Sequence, residues 1–306
     1  MAAVISLTIL AIVTYRYWYV PNSKYNNAVS LLNNGQFDEA ILAFDELGDY
    51  KDSVYMAKES QYKKAEDLYE KGELIAAANS FNGLRFDDSE DRIKSIKKRL
   101  MEKADVGDII LFGDYEQDGN YDNGKEMLEW IVLEKQEGSI LVLSLYGIDA
   151  QQFNATSERV YWDNSTLRSW LNGRFPDNAF SGESPSAVLQ TTLLNYRYPE
   201  DLDEDADLDE IIMEEYETRD RLFLLSDEEA ERYFENEEDR ICLATAYAIE
   251  NGVAASSEDH CTWWLRTSSE ERDDTILVIR SADGSIGTSM LEIVNAVRPA
   301  MWLKLD

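Results

Sequence analysis

Histidine and cysteine, the side chains most used in nucleophilic catalysis, are scarce in this chain, and two of the three sit in one phrase, HCTWWLRTSS at 260–269. His260 is the sole histidine, and Cys261 is one of two cysteines, the other being Cys242. A histidine next to a thiol raises nucleophilic catalysis. That chemistry needs a base within hydrogen-bond reach of the nucleophile and a third group to orient the base. No such partner for His260 is visible, and neither cysteine belongs to a CxxC pair. A tetrahedral zinc site needs three or four Cys, His or carboxylate ligands at suitable spacing, and none is seen. The residues therefore predict no catalytic centre, no cofactor and no transition metal.

Other groups could bind. Arg266 and Arg298 lie inside apolar runs, and a buried arginine must be paired. Each is either a clamp for a ligand carboxylate or sugar, or a fork to an internal carboxylate or backbone carbonyls. Trp263 and Trp264 are adjacent. On a strand they point to opposite faces, so one ring should face outward and could stack on a sugar. Trp263, Trp264 and Arg266 are thus the candidate ligand-binding residues. A separate stretch, EDLDEDADLDEIIMEEYE at 200–217, has 11 acidic side chains and no basic one. Asp203, Asp205, Asp207, Asp209 and Glu214 fall at the 1-3-5-7-12 offsets of a calcium loop, but Leu208 stands where the turn needs glycine. The stretch reads as a solvated loop, with calcium binding as the alternative.

These groups need elements to position them. The chain has 306 residues, a length that favours two domains. Its net charge is −32, of which residues 1–104 carry −2 and the remainder −30. Such acidity repels nucleic acid, whose binding needs a basic footprint. The first 15 residues, MAAVISLTILAIVTY, carry no charged side chain, and RYWYVP follows. Extended to Val20, and ended by Pro21, the stretch is long enough for a membrane helix with an interfacial aromatic belt. A membrane anchor is expected over 1–20. The charges of Arg16 and Lys24 after the span would by themselves keep the rest of the chain inside.

Residues 25–104 contain a repeat. Tyr25, Ala28, Leu31, Gly35, Ala40, Phe44 and Leu47 recur 37 residues later as Tyr62, Ala65, Leu68, Gly72, Ala77, Phe81 and Leu84. Each unit reads as two short helices, with small Ala residues allowing close approach and Gly ending the first helix. The pattern resembles the tetratricopeptide repeat. It serves either as a spacer or as a peptide-binding groove.

From residue 105 the pattern changes to Ile-, Leu-, Val- and Tyr-rich runs punctuated by Gly and Asp, which read as strands. DNSTLRSWLNGRF and SDEEAERYF read as helices, the second opened by a Ser226–Glu229 capping box. EGS at 137–139 and Asp283-Gly284 read as hairpin turns. The fold class expected is α+β with a mainly antiparallel sheet.

The phrases FGDYEQD, EWIVLE, YWDNSTLRSWLN, LFLLSDEEAERYF, CLATAYAIENGV, WWLRTSS and AVRPAMWL occur in the order of an uncharacterised bacterial domain family, whose hallmarks are a WWLRS and a terminal VRPALWL phrase. Over roughly 105–306 the chain resembles this family. It departs from it in the acidic insertion and in Thr267, where Ser is usual. The resemblance implies a C-type-lectin-like fold, akin to the formylglycine-generating enzymes. It also implies a membrane-anchored protein, with the domain displayed outside the cell. There Cys242 and Cys261 could bridge a loop of about 19 residues, worth roughly 3 kcal/mol; the alternative is two buried free thiols. The copper-holding cysteine pair of the formylglycine-generating oxidases is not matched, which leaves oxidase chemistry as a remote alternative. The expected protein is a single-pass, non-catalytic binder of protein or glycan, with assembly scaffolding through the repeats as the alternative.

Overall fold

A computed structural model describes residues 19–199, 213–269 and 274–305. The chain divides into two units, 1–99 and 100–306.

The first unit is helical: α1 (Val20–Asn33), α2 (Phe37–Asp45), α3 (Ser53–Lys71), α4 (Leu74–Phe81) and most of α5 (Ser89–Lys103). The sequence repeat is a repeat of contacts. Ala28, Ala40, Ala65 and Ala77 are fully buried, as small residues at helix crossings should be. The Tyr25 hydroxyl donates to Asp52 (2.6 Å), and its ring meets Phe44 edge-on. Tyr62 donates to Asp88 and meets Phe81 in the same way. Gly72 closes α3 in the left-handed conformation (φ +84°), which a side chain would disfavour.

The expectation of a membrane-spanning helix over 1–20, and with it of a single-pass protein at the cell membrane, is corrected. Among the described residues no helix is long and apolar enough to cross a membrane. Residues 1–18 of the expected span lie outside the described residues. Pro21 was expected to end a helix; instead it lies in the first turn of α1. Proline suits a first turn because its fixed φ already matches the helix.

The second unit is α+β with mainly antiparallel sheets. A four-stranded sheet runs β1 (Ile109–Tyr115), β2 (Glu126–Gln136), β3 (Ser139–Ser144) and β13 (Ala300–Lys304), in that order. Glu137-Gly138 joins β2 to β3, with Gly138 at φ +78°. A five-stranded sheet runs β11 (Ile286–Met290), β10 (Thr275–Ile279), β9 (Trp263–Ser268), β12 (Val294–Val297) and β4 (Asp149–Gln152). Its β9–β12 pairing, at Trp263 and Ala296, is parallel. Two further antiparallel pairs are β5 (Thr191–Arg197) with β6 (Glu214–Asp220), and β7 (Cys242–Leu243) with β8 (His260–Cys261).

Short helices α6 (Thr166–Leu171), α7 (Arg174–Ala179), α8 (Asp227–Tyr233) and α9 (Ala246–Glu250) lie between strands in the chain. The phrase WDNSTLR gathers on a single buried carboxylate. Asp220 accepts from the Trp162 indole (3.0 Å) and from Arg168 Nε (2.7 Å). A large apolar core serves this unit, and Leu100 and Met101 of α5 and Ala104 just beyond it join that core.

Candidate functional site

The capping box at the start of α8 forms as the sequence predicts. Ser226 Oγ accepts from the Glu229 backbone N–H (3.1 Å), and Glu229 Oε2 accepts from the Ser226 N–H (3.0 Å). The same carboxylate has a second task. Arg266, in the middle of β9, donates to Glu229 Oε1 from Nη2 (2.9 Å) and to Oε2 from Nη1. Its Nη1 also reaches the Leu224 carbonyl (2.8 Å), and its Nε the Asn195 side-chain oxygen (3.1 Å). The bidentate fork neutralises a guanidinium that is only 5% exposed. Next along β9, the Thr267 hydroxyl donates to Asp227 (2.7 Å) and accepts from the Asp227 N–H (3.3 Å). A serine hydroxyl could make both bonds.

This fork lines a cleft of about 910 Å³. The β5–β6 pair contributes Thr191–Tyr196, α8 contributes Asp227–Glu229, Arg232 and Tyr233, and the sheets contribute Glu134, Thr288 and Trp302. At its rim Glu134 Oε2 accepts from the Tyr233 hydroxyl (2.6 Å) and from Arg232 (3.0 Å). The Tyr233 bond, with a second from Gln136, holds the Glu134 carboxyl below its ordinary range despite partial burial. Burial first, then the Glu134 carboxylate, pushes the Tyr233 phenol up. Tyr196, Tyr233 and Trp302 are partly exposed rings in this lining. Among the described residues no histidine, cysteine or lysine lines the cleft.

Of the candidate ligand-binding residues Trp263, Trp264 and Arg266, it is Arg266 that lines this cleft, beside Ser226 and Glu229 of the capping box and Thr267. The expectation that one tryptophan of the pair faces outward is corrected, since both are 0% exposed. Alternation holds along β9, but β9 lies inside its sheet, between β10 and β12, and both faces are covered. Trp264 donates to the Gln151 carbonyl (2.9 Å) and packs edge-on against Phe153. Trp263 donates to the Arg240 carbonyl (3.1 Å) and carries the Arg298 guanidinium 5.0 Å from its ring centre. Arg298 donates to the Ser144 carbonyl (2.9 Å), so the phrases WWLR and AVRPAMWL interlock in the core.

Cys242 and Cys261 are direct partners across β7–β8, and both are buried free thiols, so the bridge is not formed in this structure. Cys261 Sγ donates to the Cys242 carbonyl (3.4 Å). His260 is partly exposed, and Nε2 lies 4.0 Å from Glu258. Of the calcium candidates, Asp203, Asp205, Asp207 and Asp209 lie outside the described residues. Glu214 opens β6, with its carboxylate 3.5 Å from Arg197 Nε. The cleft's other contributors were missed from the sequence. Glu229 was visible there as a helix cap, but nothing local ties it to an arginine 37 residues away.

Residues 137–305 match the model of a family described as a domain of unknown function, DUF6273. No curated protein and no solved structure matches the chain.

Proposed function

We propose that this chain, which belongs to the DUF6273 family of domains of unknown function, is a non-catalytic binding protein, and that its ligand is a hydroxyl-rich molecule of the glycan class seated in the β5–β6/α8 cleft. One observation carries the reading. The partly exposed rings of Tyr196, Tyr233 and Trp302 share one concave surface with the side chains of Thr192, Ser268, Thr288, Asp227 and Glu228. Sugars are bound by such a mixture, with C–H faces stacked on aromatic rings and hydroxyls placed by a few polar groups. The C-type-lectin-like fold implied by the sequence resemblance agrees with this use. Sugar stacking thus passes from the buried Trp263 and Trp264 to rings at the cleft.

A glycan array probed with the full chain and with Thr192→Trp tests the reading. Thr192 is exposed in the cleft lining, so a large ring there blocks the space without disturbing the core. Specific binding by the wild type, reduced at least tenfold in the variant, is expected. Equal binding by both proteins, or none by either, would refute the assignment.

A second reading, a protein scaffold working through the helical repeats, draws on the first unit. Leu42, Val54 and Tyr55 are each more than half exposed there. Capture of a protein partner that is lost in Leu42→Asp/Tyr55→Asp would favour it.

A further inference from the structure

The loop joining β1 to β2 reads YEQDGNYDNGKE, residues 115–126. It folds back so that carboxylate oxygens of Glu116, Asp118 and Glu126 all lie within 4.8 Å of one another. We propose that these three carboxylates bind a divalent cation of the calcium class.

The geometry suits one ion. Calcium takes oxygen ligands at about 2.3–2.6 Å, so two of its ligands are at most about 5 Å apart. The donor set is all oxygen, with none of the nitrogen or sulfur ligands that zinc favours. An acidic cluster alone would not carry the assignment. The independent sign is Glu116, which is 7% exposed and whose Oε1 has no hydrogen-bond partner. A carboxylate oxygen that is buried and unpartnered is costly. The carboxylate to which it belongs is clustered with two further carboxylates, an arrangement that a bound cation relieves.

The other two ligands are held in place while keeping lone pairs free. Glu126 Oε2 accepts from the Gln117 N–H (2.8 Å). Asp118 accepts from the Asn120 N–H (2.8 Å) and the Asn123 amide (2.7 Å). A carboxylate offers about four acceptor positions, so each can still coordinate an ion. Asp118 is exposed and Glu116 buried, which gives the ion a way in and a closed floor. A fourth carboxylate, Glu250 of α9, lies beside Gly119, where an added Cβ would come within 2.5 Å of its Oε2. It adds negative charge to the same place. Calcium is favoured over magnesium because a site open to solvent on one side accommodates a variable number of ligands, whereas magnesium demands a near-ideal octahedron.

The test uses the full chain, stripped of metal with EDTA and titrated with calcium chloride or magnesium chloride at neutral pH, followed by calorimetry and thermal melting. A saturable calcium-dependent rise in melting temperature is expected, with a Kd of about 0.1–1 mM, the range of modest calcium sites. Glu116→Gln is expected to weaken calcium at least tenfold. So is Asp118→Asn, which alters an exposed side chain and leaves the core untouched. Magnesium should bind at least tenfold more weakly than calcium. No saturable response in the wild type overturns the proposal. So does a response unchanged in both variants, which would locate the ion elsewhere, such as the acidic stretch at 200–217. Magnesium binding as tight as calcium overturns the calcium-class assignment.

Discussion

At the cleft, Arg266 and Glu229 form a charge pair closed on itself, while in the β1–β2 loop Glu116, Asp118 and Glu126 bring charges of one sign together. Both places bury a charged side chain, Arg266 at 5% exposure and Glu116 at 7%. At Arg266 the guanidinium has a carboxylate, an amide oxygen and a carbonyl as acceptors. At Glu116 one oxygen has no partner. A buried charge with a complete set of partners holds the protein together. A buried charge without one marks where something from solution belongs. By that criterion we expect Arg266 to shape the wall of the cleft and the proposed cation to sit in the acidic loop.

Removing the charge at Arg266 should therefore be costly. Arg266→Met takes away the donor shared by Glu229, Asn195 and the Leu224 carbonyl, leaving Glu229 with the Ser226 N–H but no countercharge. Deleting one member of a buried pair typically costs about 3–5 kcal/mol, measurable by urea unfolding. Arg266→Met combined with Glu229→Gln should recover part of that loss, because the stranded carboxylate is then gone. A loss below about 1 kcal/mol for the single variant would mean that the pair is dispensable, and Arg266 would again be a candidate for ligand contact.

A smaller effect is expected at the rim. Tyr233→Phe removes the hydroxyl that donates to Glu134 (2.6 Å). A loss of about 1 kcal/mol at neutral pH is expected, the scale of one hydrogen bond in a partly solvated setting. Its pH dependence follows from the lowered carboxyl of Glu134. Stability from a depressed carboxyl is present above its ordinary value of 4.5 and fades as pH falls through the folded value. Wild type and variant should therefore differ at pH 7 and converge in acid. A gap that stays constant with pH would show that the hydroxyl acts by packing alone.

What could be read from the sequence, and what could not, divides along range. The capping box and the Glu137-Gly138 turn are set by residues a few positions apart, and they form as their local chemistry requires; the helical repeat was legible from its recurring residues, although its Tyr25–Asp52 contact spans 27 residues. Arg266 was legible as a buried cation that needed a partner, but the partner was not. Glu229 lies on α8 and Arg266 on β9, and only the tertiary fold brings them together. Alternation along β9 correctly put Trp263 and Trp264 on opposite faces, but it cannot say what covers each face. Asp118, Asn120 and Asp122 show the same alternate spacing that drew attention to 203–209. What set the loop apart was the burial of Glu116 against Glu126, ten residues away in sequence, and no local rule supplies that.

The smallest effect is also the one of opposite sign, and it bears most directly on the comparison. Burial first, then the charge of Glu126, pushes the Glu116 carboxyl above its ordinary range. The folded state thus holds a proton that the unfolded chain releases more readily, and this group's contribution to stability declines as pH rises through the carboxylate range. In EDTA, Glu116→Gln should then stabilise the protein at neutral pH, by roughly 0.5–1 kcal/mol on the usual scale for relieving like-charge crowding. The gain should shrink toward zero near pH 4, where the wild-type carboxyl carries its proton. Thermal melts of both proteins at pH 4 and pH 7 read it directly. Saturating calcium should reverse the order, because the wild type gains a ligand that the variant cannot hold. If Glu116→Gln instead destabilised the metal-free protein as Arg266→Met does, Glu116 would be a structural charge like Arg266, and the contrast between the two sites would vanish.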